Sequence, residues 1–357
     1  MEHRRRPRYP GKNPHRFEHK YKELDPDSHP ETIAKVLASG KTPAGSHVPI
    51  MVAEILEVLQ PRPGNFAVDC TLGHGGHARA ILECVTPGGH LLGLDVDPLE
   101  LPRTEQRLRE AGFGPDQLTV AKANVAGQPA ALAKLARTGA DIILADHGVS
   151  SMQLDTPDRG YTTKAAGPLD MRMNPSRGLS AAQWLQKVSA DKLVNILEEN
   201  SDEPHAQLLA PILAGQSFAT TADLAAAIES ALKRIPREER ELSVRRVFQA
   251  IRIEVNEEFT ALDTFLRLLP HCLNPGGRVA ILTFHSGEDR RVKKSFQAAH
   301  REGLYRDIAG RVIRAGSEER HANPRSTSAT LRWASRLVDR GGPSRSSCLK
   351  IAPGGRD

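Results

Sequence analysis

The sequence predicts an α/β protein with a doubly wound, mostly parallel sheet and an all-helical insertion. Three observations support this fold class. Short apolar runs alternate with helical patterns in the first half of the chain, a glycine-rich turn follows the first run, and strand signals vanish between Ser150 and Leu242. Alternating strands and helices are typical of parallel sheets, because each crossover helix returns the chain to the same edge.

Five apolar runs are the predicted strands: Phe66–Val68, His90–Leu94, Leu118–Ala121, Ile142–Ala145 and Val279–Phe284. Helical patterns separate the first four strands, at Ile81–Val85, Glu105–Ala111 and Ala130–Ala136. Four further helices are predicted in the insertion, at Ala181–Val188, Asp191–Glu199, Gln207–Ala214 and Ala222–Lys233. One long helix, Val244–Leu269, then leads to the last strand, and its apolar residues recur at the helical spacing expected of a core face.

These patterns divide the chain into four parts. Residues 1–44 are a basic extension, residues 45–150 and 243–338 form the α/β domain, residues 151–242 are the helical insertion, and residues 339–357 are a disordered tail. The formal charge of the 357-residue chain is +6, and residues 1–22 hold this whole excess, with eight Lys/Arg against two Glu. Such an arm either contacts nucleic acid or is a solvated tail, and both interpretations remain open.

The composition excludes several classes of protein. Hydrophobic residues make up 39% and charged residues 26%, and no apolar run reaches the length of a membrane span or of a secretory signal. The four cysteines, Cys70, Cys84, Cys272 and Cys348, are scattered. We therefore expect reduced thiols in a cytoplasmic protein, with no disulfide framework and no metal site.

The segment Asp69–His77 predicts a binding site for an adenosine-containing cofactor. Glycines allow close approach of the backbone to a ligand, and the following helix offers free N–H groups. Asp95 ends the next strand, about 20 residues later, where an acid binds ribose hydroxyls in doubly wound folds. Gly73–Ala78 fits the nicotinamide-dinucleotide pattern, but Asp69 stands at the strand end, four residues before Gly73, which favours S-adenosylmethionine.

Asp146 ends the next apolar run, and Gly148–Gln153 follows it. Ligands of open α/β sheets bind outside the carboxyl ends of the strands, so Asp146 is placed to accept a hydrogen bond from a cofactor or from a substrate amine. The alternative is an ordinary loop cap.

Six blocks of the chain together resemble the MraW/RsmH family. The blocks are residues 47–59, Thr71–His77, Gly148–Asp155, Gly167–Met173, Phe248–Asn256 and Phe284–Asp289, and the resemblance covers Ser46 to Arg336. It implies a class I, Rossmann-like methyltransferase that transfers a methyl group from S-adenosylmethionine to N4 of a decoding-centre cytidine in 16S ribosomal RNA. Small-subunit RNA, alone or in an assembled particle, is then the expected partner, and the insertion is expected to recognise it.

The resemblance also implies roles for single residues. Gly75, Gly76 and His77 would surround the cofactor, Asp95 would bind the ribose, Val125 would lie near the adenine, and Asp146 and Gln153 would complete the pocket. Asp146 is in addition the candidate catalytic residue that polarises the amine. Three residues depart from the family pattern: Val125 stands for Phe, His147 for Leu and Gly287 for Leu.

Gln249, Arg252 and Asn256 form a polar line on the long helix. The resemblance implies that this line faces the substrate cleft, and the alternative is a solvated face. His285, at the end of the last strand, is a second catalytic candidate that would touch the target base, whereas Ser286 and Asp289 match a helix capping box. Tyr161, Trp184 and Phe284 are the aromatic residues near these motifs that are available for base stacking.

Two other functions remain open at this stage. A nicotinamide-dependent oxidoreductase would bind NAD at the same glycine turn. A non-catalytic ribosome-assembly factor would bind small subunits without transferring a methyl group.

Overall fold

The computed structural model describes residues 48–149, 153–154, 156–163 and 165–338, so the basic arm and the C-terminal tail lie outside the described residues. A seven-stranded sheet has the order β3-β2-β1-β4-β5-β7-β6. Strands β1 to β5 are mutually parallel, whereas β7 is antiparallel to both β5 and β6. The strands are β1 Phe66–Asp69, β2 His90–Asp95, β3 Leu118–Lys122, β4 Ala140–Asp146, β5 Leu273–Thr283, β6 Tyr305–Ile308 and β7 Thr330–Arg336. The predicted α/β fold class with a mostly parallel sheet is confirmed.

Helices cover both faces of this sheet. They are α1 Val52–Leu59, α2 Gly76–Val85, α3 Glu100–Glu110, α4 Gln128–Lys134, α10 Glu258–Cys272, α11 Ser286–Arg301 and α12 Ser317–Ala322. Successive strand residues point to opposite faces, and both faces are buried, so β1 contributes Val68 to one apolar core and Ala67 to the other. No helix among the described residues is long and apolar enough to cross a membrane.

The described residues between β4 and α10 contain helices and no strand of the sheet. The helices are α5 Ala181–Leu185, α6 Ala190–Ser201, α7 Ala206–Leu213, α8 Thr221–Ala231 and α9 Arg237–Val255. They share a third apolar core, to which Leu193, Leu209 and Val247 contribute fully buried side chains. The predicted boundary between residues 242 and 243 falls inside α9, and the assignment of this segment to substrate recognition stays a prediction.

The single long helix that we expected at Val244–Leu269 is wrong. Helix α9 ends at Val255, and α10 begins at Glu258. Glu257 between them has a φ of 51°, in the left-handed region that interrupts a helix. The break therefore places Phe259 and Leu262 on α10, away from the apolar stripe of α9.

The sequence analysis missed β6 and β7. Charged side chains obscure the apolar pattern of β7, where Arg332 is 8% exposed and forms two hydrogen bonds, of 2.6 and 3.0 Å, with the Asp289 carboxylate. An arginine whose charge is neutralised by an acid far away in the sequence can be buried. The alternation of apolar and polar residues that identifies a strand is then hidden in the sequence.

The topology determines where a ligand can bind. Strand order reverses at β1, whose neighbours β2 and β4 lead the chain in opposite directions across the sheet. The crevice at such a switch point lies outside the carboxyl ends of the strands. Asp69, Asp95 and Asp146 are the last residues of β1, β2 and β4, so three carboxylates meet at this edge.

Candidate active site

A tight glycine turn joins β1 to α2. Gly73 and Gly75 have φ values of 48° and 84°, in the left-handed region that glycine adopts without a steric penalty. A Cβ atom at Gly75 would lie 2.8 Å from Cγ2 of Thr104, so the turn has no room for a side chain there. No side chain among the described residues caps α2, which leaves its first N–H groups available to a ligand.

Asp95 is hydrogen-bonded to this turn. Its Oδ2 accepts the Gly73 N–H at 2.8 Å, and its Oδ1 accepts the Asp97 N–H at 2.9 Å. Burial raises the pKa of Asp95, and these two N–H groups partly offset the effect. Each carboxylate oxygen has a second lone pair, so Asp95 retains capacity to accept a ligand hydroxyl. The structure therefore brings together the glycine turn and the acid that the sequence paired.

Gly76 is needed for a different reason from Gly75. A Cβ atom at Gly76 would lie 2.8 Å from Cγ of Pro49, so the glycine allows the segment before α1 to pack against α2. The next residue, His77, continues this link, since its Nε2 lies 2.8 Å from the Ile50 carbonyl oxygen. A larger residue at position 76 would displace Pro49 before it met any ligand.

His77 also lies beside Asp146. Its Nδ1 is 3.6 Å from Oδ2 of Asp146, whose side chain is 26% exposed. Burial, with a smaller contribution from the charge of Glu288, raises the pKa of Asp146 to about 7. Burial likewise raises the pKa of Asp69 to about 6, against the opposing effects of His77 and the Thr71 N–H. Asp146 is thus a half-buried acid that changes protonation state near neutral pH.

The other two predicted cofactor residues lie on either side of this cluster. Val125 starts a 3₁₀ turn, Val125–Gly127, directly after β3, and its buried side chain belongs to an apolar core. Gln153 is 8% exposed, and its Nε2 donates to Oδ2 of Asp97 at 3.2 Å. Val125 therefore offers an apolar surface beyond β3, while Gln153 is tied to the end of β2.

Asp97 and Arg159 are functional candidates that the sequence analysis missed. Asp97 is 2% exposed, its Oδ1 accepts the Leu99 N–H at 2.9 Å, and its Oδ2 accepts Nη1 of Arg159 at 2.9 Å. Nη2 of Arg159 donates to the Met173 carbonyl at 2.9 Å. This buried pair joins the end of β2 to the segment before α5. The only sequence signal was an acid two residues after Asp95, which resembles an ordinary helix cap.

The predicted polar line on α9 makes internal contacts. The Asn256 amide donates to the carbonyls of Met171 and Arg252 and accepts the Met173 N–H, at 2.7, 2.9 and 2.7 Å. Its hydrogen-bonding groups thus hold the segment around Met171 against the end of α9.

The other two members of the line have one face in a cavity. Arg252 is paired with Glu258 through two hydrogen bonds of 2.9 and 3.0 Å, and Gln249 donates to the Asn200 carbonyl at 3.0 Å. Gln249 and Arg252, but not Asn256, line a cavity beside α9.

His285 immediately precedes α11, and the predicted capping box at Ser286 and Asp289 is wrong. No side chain caps α11 among the described residues, and Asp289 is instead bound to Arg332. Glu288 reaches back to accept the Phe284 N–H at 2.9 Å, and its Oε1 lies 3.2 Å from Nε2 of His285. Although burial raises the pKa of Glu288, His285, His147 and Arg252 together lower it to about 2.

Two of the three departures from the family pattern have a structural context. A Cβ atom at Gly287 would lie 2.8 Å from Cζ of Phe259, so the Phe259 ring occupies the space that a leucine side chain would need. The His147 ring lies 6.2 Å from the Phe265 ring, and burial lowers the pKa of His147.

Comparisons with known proteins identify the family of the chain and proteins similar to it. The model of the MraW methylase family matches residues 44–337. The chain is similar to ribosomal RNA small subunit methyltransferase H 1 of Lachnoclostridium phytofermentans, with 47% identity over 93% of both chains. It is also similar to ribosomal RNA small subunit methyltransferase H 2 of Alkaliphilus metalliredigens, with 48% identity over 92% of this chain and 97% of that one.

Proposed function

The chain belongs to the MraW methylase family and is an S-adenosylmethionine-dependent methyltransferase, and we propose that it methylates N4 of a decoding-centre cytidine in small-subunit ribosomal RNA. The observation that carries the proposal is the hydrogen bond from the Gly73 N–H of the glycine turn to Asp95, together with the position of Asp146 at the end of β4. The names of the similar proteins support the RNA substrate, and the resemblance of the sequence blocks supports the choice of atom.

The residues at this edge fit the cofactor. S-adenosylmethionine carries a positive ammonium and a positive sulfonium, and the strand ends present the carboxylates of Asp69, Asp95 and Asp146. The same carboxylates disfavour the pyrophosphate of a nicotinamide dinucleotide by like-charge repulsion. The charge of the site therefore favours the methyl donor over the oxidoreductase alternative.

We assign the cofactor contacts as follows. The turn at Gly75, Gly76 and His77 holds the amino-acid part against the free N–H groups of α2, and Asp95 accepts a ribose hydroxyl. Val125 packs against the adenine, and Gln153 and Asp146 close the pocket. When bound, the cofactor supplies an electrophilic methyl group on a positively charged sulfur.

Asp146 is the proposed catalytic residue. The exocyclic amine of cytosine is a weak nucleophile, because its lone pair is conjugated with the ring. A carboxylate that accepts a hydrogen bond from the amine stabilises the positive charge that develops as the nitrogen attacks, and it can then take the departing proton. His77 lies 3.6 Å from this carboxylate and is a positioning residue for it.

The target base must leave its stack to reach the strand ends. His285 and its partner Glu288 lie at the end of β5, beside β4, so His285 remains our second candidate for contact with the base. Gln249 and Arg252 are proposed to contact the RNA strand, and Asn256 to position the segment around Met171.

The test is methylation of small-subunit RNA with radiolabelled cofactor, followed by nucleoside analysis. Both protein-free RNA and assembled small subunits that lack the modification would be supplied. We expect label in N4-methylcytidine at a single position. Label on ring carbon C5, or at many cytidines, would contradict the proposed atom and site, and tight binding without any transfer would support a non-catalytic assembly factor.

A further inference from the structure

A cavity of about 230 Å³ lies between α9 and the segment that follows β4. Its lining includes Tyr161, Thr163, Met171, Phe248, Gln249 and Arg252. Sites for drug-sized ligands measure about 300–1,000 Å³, so this smaller cavity suits a single planar ring.

Part of the cavity lining is apolar and aromatic. Tyr161 and Phe248 are 8% and 7% exposed, and Met171 is almost fully buried in the same third core. Flat aromatic faces and a polarisable sulfur are the surfaces on which proteins stack nucleobases. These surfaces therefore favour a ligand with a flat ring, and Arg245, Gln249 and Arg252 supply polar groups in the same lining.

The Tyr161 hydroxyl is a polar group among these apolar lining residues. It is buried, and no described residue forms a hydrogen bond with it, although buried hydroxyl groups are nearly always paired. Burial raises the pKa of Tyr161 far above its usual range, so the hydroxyl stays protonated and can donate a hydrogen bond. An unpaired donor on a lining residue is an independent observation that favours a ligand with a hydrogen-bond acceptor.

Charged residues link the cavity to the proposed transfer site. Arg252, in its lining, interacts electrostatically with Glu288, and the charge of Glu288 also acts on Asp146. Arg159, two residues before Tyr161, is bound to Asp97 at the end of β2. The buried Arg159–Asp97 pair thus connects the segment that contains Tyr161 to the cofactor edge.

We propose that this cavity receives the ring of the target cytosine, with Phe248 contacting its face and the Tyr161 hydroxyl donating to N3 of the ring. Cytosine is the appropriate occupant because its N3 is an acceptor, whereas uracil presents an N–H at position 3. The assignment rests on the proposed function, and it makes Tyr161 a residue that selects the base.

The first test removes the hydroxyl alone. Tyr161→Phe keeps the ring and should lower kcat/KM for small-subunit RNA about 3- to 10-fold, the scale of one neutral hydrogen bond, without changing cofactor affinity or thermal stability. Tyr305→Phe is the matched control, because Tyr305 is also a buried tyrosine whose hydroxyl has no partner among the described residues, but it lies on the edge strand β6.

The second test fills the cavity. Thr163 is an exposed residue of the lining, so Thr163→Trp should fold normally and lower methyl transfer about 5- to 100-fold, the scale of losing one stacked base. Thr260→Trp is the control, since Thr260 is also exposed and lines a separate cavity of about 210 Å³.

The outcomes separate this inference from the proposed function. If the unaltered protein transfers no methyl group to cytidine, the proposed function fails. If it does, but Tyr161→Phe and Thr163→Trp match their controls, the cytosine assignment alone is overturned. A loss in Thr163→Trp with a changed target position, but unaltered rate in Tyr161→Phe, would also overturn it, because the cavity would then hold a neighbouring nucleotide.

Discussion

The cofactor edge and the cytosine cavity are built in opposite ways. At the glycine turn of the cofactor edge, Asp95 makes polar contacts with residues close in sequence, Gly73 and Asp97. Around the cavity they join distant residues, such as Met173 with Asn256, 83 positions apart. Short loops on neighbouring strands give the methyl donor a rigid site, whereas the substrate side depends on how a helical segment docks.

The contacts between the two regions are few and buried. Among the described residues, Asp97 accepts hydrogen bonds from both Arg159 and Gln153, and it also accepts the Leu99 N–H at the start of α3. One carboxylate therefore fixes the segment before α5 relative to the end of β2. Substitution of Asp97 is therefore the most direct way to separate the two regions.

The largest effect is expected for Asp97→Ala. The change leaves Arg159, which is 15% exposed, without its carboxylate partner, and it removes an N-terminal contact of α3. Loss of one member of a buried ion pair costs about 3–5 kcal/mol, so the free energy of unfolding should fall by that amount. Denaturant titration measures it.

Asp263→Ala is the control for Asp97→Ala. It breaks the pair of Asp263 with Arg291, whose N–O distance is 2.7 Å but whose side chains are 51% and 34% exposed. Solvent-exposed pairs contribute about 0–1 kcal/mol. Equal losses in the two variants would show that the junction has no special role.

The next largest effect is expected for Asp146→Asn, which keeps the shape of the side chain but removes its charge. With cofactor and RNA saturating, we expect kcat to fall about 10²- to 10³-fold, the scale of losing one electrostatic contact in a transition state. Cofactor affinity, measured by calorimetry, separates the catalytic role from the binding role. The control is Asp141→Asn at the other end of β4, where the acid accepts the Phe66 N–H and a hydrogen bond from Asn274. A rate equal to that of the unaltered protein in Asp146→Asn would contradict the role.

The difference between the two regions also explains what the sequence could predict. The strand, turn and helix around Gly73–His77 lie within one βαβ unit, so spacing alone predicted that Asp95 ends the strand beside the glycine turn. The same rule placed Asp146 at the carboxyl end of a later strand. The cavity needs Tyr161 and Phe248 to meet across 87 positions, and nothing in their spacing indicates it. The break at Glu257 escaped detection because an apolar stripe with helical spacing continues through it. Arg332 hid β7 because its partner, Asp289, lies on another element.

Asp95→Asn should have a smaller effect, confined to the cofactor edge. It removes the charge that would strengthen a ribose hydrogen bond, and hydrogen bonds to charged groups contribute about 1.5–3 kcal/mol. We expect cofactor affinity to fall about 10- to 100-fold, with RNA affinity unchanged. Asp116→Asn, an exposed acid just before β3 and so at the opposite end of the sheet, serves as the control. A loss of RNA affinity in Asp95→Asn would mean that the two regions are not separable.

The smallest effect is a change in how the free energy of unfolding depends on pH. Asp146 and Glu288 contribute to this dependence with opposite signs. Burial and the charge of Glu288 raise the pKa of folded Asp146 to about 7, and His77 and Asp69 are the other titratable groups beside it. Folded Asp146 therefore keeps its proton to a higher pH than in the unfolded chain, so its effect is to reduce stability as the pH rises from about 4 to about 7. Asp146→Asn should flatten this decline.

Glu288 behaves in the opposite way. Burial raises its pKa, but His285, His147 and Arg252 lower it to about 2, so its contribution is complete above about pH 4.5 and is lost as the pH falls towards 2. Glu288→Gln should therefore flatten the acid side of the profile and leave the decline between about pH 4 and 7 intact. Each titrating proton changes the slope by at most about 1.4 kcal/mol per pH unit, which denaturant titrations without cofactor at several pH values can resolve. If both variants flatten the same part of the profile, Asp146 and Glu288 titrate as one coupled pair. The protonation of the catalytic carboxylate would then depend on Glu288.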